Sequence, residues 1–181
     1  MRLCKTMVFG LCLGLLFAAS SGRSQVPQLS EYQIKAAFLY NFGRFIDWPA
    51  EAFADGSSPF IFGILGDNPF GKTLDQAFTG KTLNGHPVVV QVIHSLPEAS
   101  HCHILFICSS EKGHLEKIIQ SLHAASVLTV SESNQFIDAG GMINFVTIDN
   151  KVRFQINNGA AKAARLKISS KLLGLAVSSA N

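Results

Sequence analysis

The spacing of apolar positions changes several times along the chain, and each change marks an element. From Ser30 to Asp47, residues Ile34, Phe38, Phe42 and Phe45 fall on one side of a helix, with Ala37 and Trp48 at its edge. Ser30 is placed to cap that helix, Glu31 sits in the first turn where the helix dipole favours negative charge, and Pro49 stops it. Asn41 projects near the centre of the apolar side and Arg44 lies at its border. Short continuous apolar runs predict buried strands over Phe60 to Leu65, Val88 to Ile93, His103 to Ile107 and Val127 to Val130. Between them, helical spacing predicts Lys72 to Phe78 and Glu111 to Ala124, the latter carried by Leu115, Ile118, Ile119 and Leu122. Met142 to Ile148 and Lys151 to Ile156 flank Asp149-Asn150, which is a hairpin pattern. Ala160 to Arg165 and Ser169 to Leu175 read as two closing helices, the second capped by Ser169 or Ser170.

Strands alternating with helices, followed by one hairpin, predict an α/β fold. The expected form is a single-domain three-layer α/β sandwich with a mixed, mostly parallel sheet and a late β-hairpin. A length of 181 residues fits one domain, and no repeat or low-complexity stretch divides it.

The first segment has a different pattern. Arg2 and Lys5 precede an apolar run from Met7 to Ala19, and Ala18, Ala19, Ser20, Ser21 and Gly22 follow. This is the layout of a secretory signal peptide, and the run is shorter than the ~17 residues that cross a bilayer as a helix. Cleavage is expected between Ala19 and Ser24, leaving a domain over residues 25–181. That changes the reading of charge. The whole chain carries net +3, but losing Arg2, Lys5 and Arg23 leaves basic and acidic residues equal at 12 each. No basic footprint for a nucleic acid remains. A 15% charged content and mean hydropathy of +0.27 exclude a disordered chain.

Candidate chemistry is sparse. Gly66-Asp-Asn-Pro-Phe-Gly71-Lys72-Thr73 matches the spacing of a phosphate loop. Pro69 removes one of the backbone N–H groups such a loop needs, and Asp67 puts negative charge beside the phosphates. The expected role is a strand-to-helix turn with Asp67 or Asn68 capping the helix. In His101-Cys102-His103, a strand would point both His to one side and Cys102 to the other, which gives no metal set. No cofactor pattern and no serine-nucleophile elbow is present. Cys102 and Cys108 would lie ~20 Å apart on one extended strand, too far for a disulfide unless Cys108 turns back after the strand. Their apolar neighbours raise a thiol pKa, which disfavours a thiol enzyme. Fourteen Phe serve mainly a core, with an apolar pocket or a partner surface as a further use. Near the C-terminus, Asn157 follows a strand and can cap a helix or meet a ligand. Lys167 and Lys171, four apart, can attract an anion or an acidic partner.

The run Glu31 to Pro49, with Asn41-Phe-Gly-Arg44-Phe-Ile-Asp-Trp48-Pro49 inside it, resembles the YfiR-like family of exported bacterial proteins. The resemblance continues through Gly66-Asp67, Pro69-Phe70-Gly71, Gly85-His86-Pro87-Val88, Cys102 to Ile107, Val127 to Glu132, Gly140 to Phe145, Arg153 to Asn157 and Leu166 to Leu173. It implies a small periplasmic α/β protein without catalytic activity or cofactor. Its expected partner is the periplasmic sensor domain of an inner-membrane diguanylate cyclase. Holding that enzyme down would keep cyclic-di-GMP and biofilm formation low. A sensor kinase is the alternative partner, a small-molecule ligand the alternative function, and a homodimer is also expected from the resemblance. Motif position makes Asn41, Arg44, Trp48, Asp67, Arg153, Asn157, Lys167 and Ser169 the candidate ligand- or partner-binding residues. Cys102 and Cys108 are the redox candidates. Cys102 matches a family cysteine whose usual partner position is Gly63 here, and a second family cysteine pair near Asn144 is absent.

Overall fold

The computed structural model describes residues 30–123 and 125–177. The expected signal peptide and its cleavage region lie outside them. The elements are helices α1 (Glu31–Phe45), α2 (Thr73–Phe78), α3 (Leu96–Ala99), α4 (Leu115–Ser121), α5 (Asn158–Ala163) and α6 (Ser170–Leu173). The strands are β1 (Ile46–Asp47), β2 (Phe60–Leu65), β3 (Thr82–Leu83), β4 (His86–Ile93), β5 (Ile104–Ile107), β6 (Leu128–Ser131), β7 (Ile143–Ile148), β8 (Lys151–Ile156) and β9 (Lys167–Ile168).

Seven strands form one mixed sheet in the order β3-β4-β2-β5-β6-β7-β8. The inner five are parallel, and β3 and β8 close the two edges antiparallel. The α/β class, the mixed sheet and the flanking helices agree with the sequence pattern. The three-layer sandwich needs correction: the sheet curls into a half-barrel. Strand twist accumulates across seven strands, so a wide sheet curves instead of staying a flat middle layer.

Alternation along each strand separates two apolar clusters. Phe62, Phe106, Val130, Phe145 and Phe154 pack with α1, α2, α5 and α6. Leu65, Leu105 and Ile107 pack on the other face with α3 and α4. The β7–β8 turn places Asp149 and Asn150 at φ +49° and +56°, the left-handed geometry of a two-residue hairpin.

Several expectations move. Helix α1 has its capping box at Ser30 and Gln33 but ends at Phe45, and Ile46–Asp47 pairs with β9. Its deepest stripe is Lys35, Ala36, Leu39, Phe42 and Gly43, rotated from the predicted one, and Ala37 is exposed. The helix expected from Glu111 begins as a 3-10 segment, Ser109–His114, before α4. Gly113 in that segment weakens an α-helix there. The expected cap on α2 is also absent. Lys72 holds the cap position without a side-chain bond, while Asn68 Oδ1 accepts from the Phe70 N–H at 2.8 Å.

Candidate functional site

In an open α/β sheet, ligands meet the carboxyl ends of the strands where the strand order reverses. Here the chain runs from β2 outward to β4 and returns past β2 to β5, so the reversal lies between β2 and β5. Asp67 stands at that end, its N–H donating to Ser110 Oγ at 2.9 Å. The loop that matches phosphate-loop spacing is folded on its own side chains. Asn68 bridges Phe70 and Gly71, and Phe70 is buried against Tyr32 and Phe106.

One strand further along, a charged cluster occupies the same end of the sheet. Lys35 is only 4% exposed. Its ammonium contacts Glu31 one turn earlier on α1 and Glu132 just after β6. Tyr32 donates from its hydroxyl to Glu132 Oε1 at 3.0 Å, and Lys35 Nζ lies 4.7 Å from the centre of the Tyr32 ring. Burial, and then the Glu132 carboxylate, push the Tyr32 pKa up to about 12. A cavity of about 540 Å³ opens beside these groups, with Asn134, Asn144 and Thr147 on its wall. The cluster cross-links the start of α1 to the end of β6. It was not foreseen, although the i, i+4 spacing of Glu31 and Lys35 inside an apolar helix was a signal for it.

At the opposite end, four of the expected residues come together around the small β1–β9 sheet. Asp47 lies opposite Lys167 in the register, and the Ser169 N–H donates to the Phe45 carbonyl at 2.9 Å. Arg44 is exposed, its guanidinium 5.9 Å from the Phe45 ring. Trp48 donates from Nε1 to the His103 carbonyl at 3.2 Å, which ties this end to β5. Ser169 caps α6 through the Leu172 N–H. Asn41 is half-buried one turn before Arg44 on α1.

The remaining expected residues are elsewhere. Asn157 caps α5, accepting from the Ala160 N–H at 3.0 Å. Arg153 is exposed on β8 and donates to the neighbouring Val152 carbonyl. Asp67 is at the far end of the sheet. The eight residues therefore form one group of four with Asn41 beside it, and three separate positions.

The His101-Cys102-His103 run does not alternate as a strand. It leaves α3 through a turn held by the His101 and Cys102 N–H groups, so His101 is exposed and His103 buried. Among the described residues no group of three or more His, Cys, Asp or Glu is placed to hold a metal. No helix there is long and apolar enough to cross a membrane.

A model of the YfiR/HmsC-like family matches residues 32–177, almost the whole described domain. The chain belongs to that family. No curated protein matches it significantly. Among solved structures it is similar to the crystal structure of a conserved domain protein from Vibrio cholerae O1 biovar El Tor strain N16961. The TM-score is 0.55 at 11% identity, covering 83% of this chain and 60% of that one. The chain therefore spans 60% of the length of that structure, and at this identity the likeness concerns the fold.

Cys102 and Cys108 are both buried, unbridged and on opposite faces of the sheet. Burial pushes each thiol up to about 12, with neighbouring carboxylates adding to it, so neither is poised as a thiolate. A Cβ built on Gly63 would collide with Cys102 Sγ and would also press on Ile93 Cγ1 and Leu105 Cδ1, each at 2.9 Å. Gly63→Cys is expected to form a disulfide with Cys102 on oxidation. The bond should raise stability by about 2 kcal/mol over the reduced variant. Mass spectrometry of the non-reduced 63–102 peptide pair and denaturant melts in both redox states check this; a free thiol at 63 after oxidation would refute it.

Proposed function

We propose that the protein is exported to the periplasm as residues 25–181. There it binds the periplasmic sensor domain of an inner-membrane signalling protein. The preferred partner is a diguanylate cyclase held in its low-activity state, which lowers cyclic-di-GMP and biofilm formation. The observation that carries this reading is the family match across residues 32–177. The layout of the first 24 residues and the charge balance left after their removal support export. The group at β1–β9 is the proposed contact surface. Arg44 and Lys167 are exposed cations there, beside the half-buried Trp48 ring and Ser169. Such a combination suits an acidic surface with an aromatic anchor at its centre. The family's regulatory character and the sparse chemistry of the sequence both favour binding over catalysis.

The test is a pull-down of the tagged mature protein from solubilised envelope, followed by mass spectrometry. The expected result is an inner-membrane cyclase or kinase recovered in near-equal amount. Arg44→Glu together with Lys167→Glu is expected to reduce that recovery by about tenfold or more. Both residues are exposed, so the double variant should melt like the parent. Absence of any enriched membrane protein in both oxidising and reducing buffers would overturn the reading. So would deletion of the gene with no change in cyclic-di-GMP or kinase output.

A further inference from the structure

The two edges of the seven-stranded sheet are finished differently. Along β8, Lys151 and Arg153 are exposed charges, and the Val177 N–H donates to the Phe154 carbonyl at 2.9 Å. Charge and cover of this kind keep a sheet edge from pairing further. At the other edge, β3 spans two residues and lies opposite only His86 and Pro87 of β4. From Val88 to Ile93, β4 reads Val-Val-Val-Gln-Val-Ile, with no charge, proline or glycine. Its inner side pairs with β2 along that whole run. Among the described residues, no strand pairs with its outer side beyond Pro87.

The backbone groups of that outer side can be assigned one by one. The Val88 N–H points outward and donates to the Lys81 carbonyl at 2.9 Å. Backbone groups in a sheet strand face alternate sides, so Val90 and Val92 turn their N–H and C=O the same way as Val88. The His94 N–H is taken again, by Glu98 Oε2 at 3.1 Å. The free edge therefore has fixed ends, with Lys81 closing it at Val88 and Glu98 closing it at His94. Within it, the Val92 side chain is 49% exposed. A β-branched, uncharged edge with open backbone groups is a template for another strand.

We propose that this edge pairs antiparallel with the same edge of a second copy of the chain, about a two-fold axis at Val92. The Val92 N–H of each copy donates to the Val92 carbonyl of the other, and the Val90 N–H groups extend the ladder on both sides. Charge selects a second copy as the occupant. Antiparallel pairing brings the Lys81 end of one run to the Glu98 end of the other, so two exposed opposite charges meet, twice by symmetry. The assembly then closes at two, because both outer edges of the joined sheet are the charged β8. The homodimer implied by the family resemblance thereby acquires a surface and a register. That surface includes none of Arg44, Trp48, Lys167 and Ser169, so it stands or falls apart from the membrane partner.

The free edge is short, and pairing along it buries less than the about 1,200 Å² of a standard stable interface. The dimer is accordingly weak, with an expected Kd of about 10–100 μM.

Sedimentation velocity of the mature chain, from a few micromolar to about 500 μM, is expected to show a monomer passing to a dimer and no larger species. Val92→Lys places two like charges at the two-fold axis and is expected to leave the chain monomeric throughout. Its side chain is already half in solvent, so the variant should melt like the parent. Lys81→Glu is expected to weaken the dimer by about fivefold or more. Val92→Cys is expected to give a disulfide-linked dimer on mild oxidation, while Ile148→Cys, at the 44% exposed position beside the β7–β8 turn, is not. The native Cys102 and Cys108 are buried and do not compete. A parent that stays monomeric at the highest concentration overturns the proposal. So does a dimer that survives Val92→Lys, or cross-linking at 148 as readily as at 92.

Discussion

Replacing Lys35 by methionine is expected to cost about 3–5 kcal/mol of folding stability, although the new side chain is apolar and of similar length. The size follows from what the substitution leaves behind. The Glu132 side chain is 16% exposed, and its carboxylate has been taken out of water to meet Lys35 and the Tyr32 hydroxyl. Without the ammonium, that charge keeps one firm donor, with Ser109 Oγ at the 3.5 Å limit. Removing one member of a buried pair costs more than removing both, because the survivor cannot regain its hydration. The double variant Lys35→Met, Glu132→Gln is therefore expected to recover about half of the loss. Glu31→Gln should change stability by no more than about 1 kcal/mol, since the Glu31 side chain is 53% exposed and its pair with Lys35 is screened by solvent. Urea melts of the four proteins check the set. A Lys35→Met cost under 1 kcal/mol would show that α1 is held by its aromatic stripe alone, through the contacts of Phe38 and Phe42 with Phe145 and Phe154.

The sequence pattern made the α/β class and the long elements legible because apolar period and turn residues agree there. In α1, β2, β5 and the β7–β8 hairpin, each local choice points the same way. What escaped depends on non-local partners. The two-residue strands β1 and β9 exist only because they pair across more than a hundred residues, and two residues carry no period of their own. The rotation of α1 followed from counting Phe and Ile as the buried face. The sheet and Glu132 pull Lys35 inward instead, and no helical wheel contains Glu132. The His103 environment was hidden for the same reason. The motif suggested a strand with two His on one side, whereas the chain turns out of α3 and buries only the second. Among the expected site residues, spacing along the sequence did not tell which would meet. Arg44, Trp48, Lys167 and Ser169 converge because β1 and β9 pair, while Asn157 caps a helix that follows β8.

Lowering the pH from 6.5 to about 4.5 is expected to remove most of a contribution of about 3 kcal/mol that His103 makes to stability. Burial, first among the causes and reinforced by the nearby His86, pulls the His103 pKa from 6.5 down to about 4. The native protein therefore holds this ring neutral at a pH where the unfolded chain has already protonated it. Between those two values the unfolded state binds the extra proton, so stability rises with pH through the window. The contribution is fully present above pH 6.5 and is lost as pH falls towards 4. The structural cause is specific. A second proton would have to enter at Nδ1, which faces the Ile61 N–H at 3.0 Å, turning an acceptor into a donor pointed at a donor. The ring would then have to leave its stack with Phe53 and Phe60. Carboxylate effects fall lower. Asp55 is held down to about 2 by the Ser57 and Ser58 hydrogen bonds, and Glu98 is lowered by the His94 N–H and Ser95. Stability tied to such carboxylates begins to be lost only near their ordinary values, 3.8 for Asp55 and 4.5 for Glu98, and the loss continues through the depressed ones, so the imidazole dominates the fall from 6.5 to 4.5. His103→Gln retains an acceptor for the Ile61 N–H and carries no titrating group. Its stability should be lower than the parent's at pH 7 and nearly flat across the same interval. Denaturant midpoints measured at half-unit steps decide the matter, and parallel slopes for parent and variant would remove His103 as the source.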